Sequence, residues 1–83
     1  MLDESLKHTK NKTIGIKQTQ RALEKGIVSK VYVARDAEAQ VLKPIIELCR
    51  NKQIACIEVG SMTELGKACG IEVGAAVAAV MAE

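Results

Sequence analysis

Three short apolar runs recur along the chain: Lys30 to Arg35 ("KVYVAR"), Ile54 to Val59 ("IACIEV") and Ala75 to Met81, each preceded by a stretch of helical character. The first is too apolar at every position for an exposed hairpin and has the β-branched content of a central strand; the second reads as another core strand and the third as a buried one. Strands alternating with helices imply a layered α/β domain, with helices on both faces of one small sheet. With 83 residues and 48% hydrophobic content, residues 1–83 can close one core and are too few for two, so one domain is expected.

The core must be assembled from small pieces. Tyr32 is the sole aromatic residue, and Trp and Phe are absent, so Ala, Val, Ile and Leu have to supply thin, close packing. Cys49, Cys56 and Cys69 form no C-x-x-C pair and each sits among aliphatic neighbours. They read as buried small hydrophobes in a reducing compartment rather than as a metal or disulfide framework.

Local signals divide the rest. A short helix is expected from Asp3 or Ser5 to about Lys10, and Thr13-Ile14 as a very short strand. Gly15 then allows a tight turn into a helix with Ile16, Ala22, Leu23 and Ile27 on its apolar side, stopped by Gly26. Asp36 is placed to cap a helix beginning near Ala37. Pro44 removes a donor, which predicts a kink or two consecutive helices between Glu38 and Asn51, with Ile45, Ile46, Leu48 and Cys49 on the buried side. Ser61 and Glu64 have capping-box spacing for a short helix to Cys69, which Gly70 ends; residues 71–74 ("IEVG") are a loop.

Charge is modest but uneven. The first thirty residues hold seven basic and three acidic side chains (+4), the remainder five and seven (−2). A basic half points to a polyanion, and a Lys-rich solubilising face accounts for it equally well. No nucleotide-binding glycine loop is present, the single histidine (His8) has no evident catalytic partner, and the carboxylates are explained by solvation and capping, so an enzyme is not expected, nor a cofactor or metal. No apolar stretch approaches a membrane span and the first residues carry no signal-peptide core, which predicts a cytoplasmic protein. A base-stacking RNA platform lacks the aromatics it needs. What remains is the helix after Gly15, whose free amides and positive pole lie beside Lys17, Gln18 and Arg21. Taken alone, that helix reads better as an ordinary amphipathic one with a solvated face.

Three separated segments sharpen the choice. "GIKQTQRALEKG" (Gly15 to Gly26), "VYVARDAE" (Val31 to Glu38) and "LGKACGIEVGAAVAAV" (Leu65 to Val80) together resemble the L-seven-Ae ribosomal protein family, most of all its short bacterial YbxF-like members. The resemblance implies a three-layer α/β/α sandwich around a mixed sheet of about four strands. It also implies a non-enzymatic protein that binds kink-turn RNA, a duplex bent at a short bulge beside sheared G·A pairs. Lys17 and Arg21 would donate to guanine edges, Gln18 would donate and accept, and Gly15 would admit the RNA backbone. Ile71, Glu72, Val73 and Gly74 match the loop that covers the bulge, while Glu38, Leu42 and Met62 fall where a flipped base is accommodated. Two departures stand out: Lys17-Gln18 replaces the usual Asn-Glu, and Val73-Gly74 the usual Arg-Pro. The first adds charge near phosphates and implies a steeper salt dependence. Ribosomal RNA is a further possible partner, and a monomer is expected. A structural role in the large ribosomal subunit and a protein-interaction module on the same fold are the alternative readings.

Overall fold

The structure, a computed structural model, describes residues 11–81. The helix expected before Lys10 lies outside those residues. The described chain runs β1 (Lys12–Ile14), α1 (Ile16–Lys25), β2 (Val28–Ala34), α2 (Ala39–Asn51), β3 (Ala55–Val59), α3 (Met62–Cys69) and β4 (Val77–Met81). One mixed four-stranded sheet has the order β1-β4-β2-β3. β4 pairs antiparallel with both β1 and β2, and β3 lies parallel to β2.

The sheet's two faces have separate cores, as period-two alternation demands. Val31, Val33, Val77 and Ala79 face α1 and α2 and pack with Leu23, Ile45 and Cys49. Tyr32, Ala34 and Ala78 face the opposite way and pack with Leu65 and Cys69 of α3. Helices therefore cover both faces, giving the expected α/β/α layering. Alanines in the central strand β4 keep the layers close in a core that has neither Phe nor Trp.

Four expectations are corrected. β3 is not a core strand: it lies at the sheet edge, and of its five residues only Val59 is buried. Cys56 is accordingly exposed, unlike Cys49 and Cys69. Of the two outcomes expected at Pro44, division into two helices does not occur: α2 continues through it from Ala39 to Asn51. Pro44 and Gln40, whose carbonyl would otherwise receive residue 44's amide, both lie on the exposed side, where water can take the vacant acceptor, while Leu42, Ile45 and Cys49 anchor the other side. Two apolar residues assigned inward, Ile27 and Ile46, are exposed. Asp36 does not cap α2, whose N-cap is Glu38 without a side-chain bond. Its Oδ1 instead accepts from the Met62 N–H at 2.8 Å, the first amide of α3.

The other local signals hold. Ser61 Oγ accepts from Glu64 N–H at 3.1 Å, as a capping box requires, and Gly26 and Gly70 close α1 and α3. Lys12 Nζ donates to the Cys69 carbonyl at 2.7 Å, which places a cation at the negative end of α3.

Candidate nucleic-acid interface

Strand directions decide which loops meet. Ile14 is the last residue of β1 and pairs with Ala78; Val33 pairs with Val77 near the end of β2; Val59 ends β3 beside Ala34. The carboxyl ends of β1, β2 and β3 and the start of β4 therefore share one sheet margin. The start of α1, the turn at residues 35–38, the start of α3 and the segment before β4 all emerge there. Open α/β sheets commonly bind ligands at such a margin.

The first part of this margin is the α1 start. Gly15 has φ +106°, a conformation that strains any residue with a Cβ, and its N–H donates to the Val77 carbonyl at 2.9 Å. Thr19 is fully buried, and its hydroxyl lies 2.9 Å from that of Thr13, which pins the first turn of α1 to β1. Lys17, Gln18 and Arg21 are exposed on the pinned helix. Lys17 and Arg21 stand one turn apart on one face, an arrangement of like charges that costs an isolated helix roughly 0.2–0.5 kcal/mol. No acidic residue occupies the first turn and no side chain caps it, so the helix's positive pole adds to theirs. The ordered backbone thus presents concentrated positive charge to solvent.

The second part is the loop before β4. Ala75 N–H donates to the Met62 carbonyl at 3.0 Å and Ala34 N–H to the Ala76 carbonyl at 2.9 Å, so the loop is tied to α3 and β2. Ile71 packs against the α3-side core, whereas Val73 is 70% exposed, far more than any other exposed large hydrophobic residue among those described. Glu72 and Gly74 are exposed, Met62 is half-buried beneath the loop, and Glu38 is exposed at the start of α2. Leu42 is 7% exposed and belongs mainly to the α1/α2 core.

A separate cleft of about 570 Å³ opens between α2 and the β3 edge, lined by Val33, Ala37, Leu42, Ile46 and Arg50 among others. Leu42 is the one residue it shares with the predicted site. Arg35 and Glu58 on its rim are 3.6 Å apart and 70% exposed, a pair too solvated to add much stability. No group of three potential metal ligands occurs among the described residues. Nor is any described helix long and apolar enough to cross a membrane.

Two features escaped sequence reading. The bond from Met62 N–H to Asp36 joins segments 26 residues apart, and no local pattern reports it. Gly66 is buried inside α3, where glycine is a poor helix former; an internal glycine of this kind signals close backbone approach.

Residues 2–83 match the ribosomal protein L7Ae/L30e/S12e/Gadd45 family. The chain belongs to that family. Among its relatives, RNA-binding protein TTE2299 of Caldanaerobacter subterraneus subsp. tengcongensis is 47% identical over 82% of this chain and 83% of its own length. RNA-binding protein BH0128 of Halalkalibacterium halodurans is 46% identical over 93% of this chain and 94% of its own. Both are short bacterial members, as the resemblance implied, and their names agree with the expectation of a non-enzymatic protein. The fold of this family member also superposes on the Giardia lamblia 15.5kD RNA binding protein with a TM-score of 0.88, at 21% identity, covering 96% of this chain and 68% of that one.

Proposed function

We propose that this protein binds RNA, and that it recognises and stabilises the kink-turn, selecting the bent conformer from a flexible ensemble. The observation that carries the reading is the placement of Lys17, Gln18 and Arg21 on a pinned, uncapped helix start at the same sheet margin as the exposed Val73 loop. Family membership supports it, as do the names of the two bacterial relatives. An intact A-form major groove is too deep and narrow for side chains to read, whereas a sharply bent one admits a helix end. Lys17 and Arg21 then donate to guanine O6 and N7, and the Gln18 amide donates and accepts. Val73 and Ile71 give apolar cover to an unstacked bulge nucleotide, with Glu38, Met62 and the exposed fringe of Leu42 around a flipped base.

Calorimetric titration with a kink-turn duplex, beside a duplex whose G·A pairs are replaced by Watson–Crick pairs, tests the reading. Tight binding to the first alone is expected. Equal binding to both refutes kink-turn recognition.

A further inference from the structure

Residues 71–74 have no regular secondary structure, so something else must hold Val73 in place. α3 lies directly beneath. A Cβ built on Gly66 would fall well inside van der Waals contact distance of the Val73 carbonyl oxygen, 3.1 Å from its carbonyl carbon and 3.2 Å from Gly74 Cα. Gly66 is not among the positive-φ residues, so its backbone conformation does not call for glycine. Inside a helix glycine is less favourable than alanine. The missing side chain is what lets helix and loop touch. Met62 holds the same loop a turn earlier: its N–H donates to Asp36 Oδ1 at 2.8 Å and its carbonyl accepts from Ala75 N–H at 3.0 Å.

We propose that Gly66 is a positioning residue for RNA recognition: it touches no RNA, and its bare Cα lets the loop lie low enough on α3 to set Val73 against the bulge nucleotide. This rests on the kink-turn reading. A side chain at position 66 must lift the Val73 carbonyl, because the clash is with backbone and no rotamer relieves it. The Asp36–Met62 bond steadies the same bed from the other side.

The test is a coupling cycle. Wild type and Gly66→Ala are titrated with three RNAs: the intact kink-turn, the same RNA with abasic bulge nucleotides, and the G·A-replaced control. Gly66→Ala is expected to lose about tenfold in affinity for the intact kink-turn, an ordinary size for groups coupled through a shared backbone shift. On the abasic RNA it should match wild type, since the displaced loop has no base left to miss. Equal losses on both RNAs reveal a general structural defect and overturn the inference, as does unchanged affinity for the intact RNA. Wild-type indifference to the G·A pairs overturns the functional reading, and the inference with it, from the wild-type titrations alone. Should Gly66→Ala not fold, Asp36→Ala loosens the same bed from an exposed position and undergoes the same cycle. A penalty confined to the RNA with intact bulge bases supports the inference, and its absence overturns it.

Discussion

The hydroxyl oxygens of Thr13 and Thr19 lie 2.9 Å apart in the buried seam between β1 and α1. Each is the other's hydrogen-bond partner, so the helix start that carries Lys17, Gln18 and Arg21 is registered against the sheet by a polar pair inside an otherwise aliphatic layer. Thr19→Val should therefore strand the Thr13 hydroxyl and destabilise the protein by about 1–3 kcal/mol, while the double replacement with Val at both positions should recover most of that loss. Urea unfolding of the three variants checks the pattern.

On the RNA side, Gln18→Ala and Arg21→Ala should each weaken kink-turn binding by about 1–3 kcal/mol, the scale of a lost base contact. Unchanged affinity in a folded double variant refutes the site.

Lys17 adds a positive charge beside the pole of α1, and it should make binding more dependent on salt. The slope of log K against log salt should become shallower by about one in Lys17→Ala. Titrations at several salt concentrations measure it, and an unaltered slope removes Lys17 from the phosphate contacts.

The three thiols should react in an order set by burial. Cys56 is exposed, whereas Cys49 and Cys69 are buried. Native protein should give one fast thiol with a disulfide reagent and two slow ones, as read by mass spectrometry of the labelled sites.

Burial, with the neighbouring Cys56 adding to it, pushes the Cys49 thiol up from 9.0 to about 11. A raised pKa means the folded state holds its proton more tightly than the unfolded chain. The Cys49 contribution to stability is therefore fully present below about pH 9 and is lost as pH rises toward about 11. Unfolding midpoints should fall across that window, and less steeply in Cys49→Ala.

Much of this was legible in the residues. Lys17, Gln18 and Arg21 lie in the first two turns of one helix, so their common exposure follows from helical spacing around the buried Thr19, Ala22 and Leu23. The Ser61–Glu64 box and the closing glycines are likewise local, because a cap is made by residues three or four apart. Leu42 shows where such reading stops: its apolar character suits a base pocket and a core equally, and only packing assigned most of its side chain to the core.

The sequence by itself determined the described elements, the Ser61 cap, the closing glycines of α1 and α3 and the composition of a core without bulky aromatics, since these depend on residues within a turn or a strand of each other. Only the tertiary structure decided that "IACIEV" is an edge strand, that Asp36 serves α3 instead of α2, and that the loop at Val73 rests on Gly66. The physical reason is strand order. β1 pairs with β4 from the far end of the chain, which draws β4 into the interior beside β2 and leaves β3 on the margin. That long-range pairing also carries Gly15 and the Val73 loop to one side of the sheet, and no periodicity within either segment encodes their meeting.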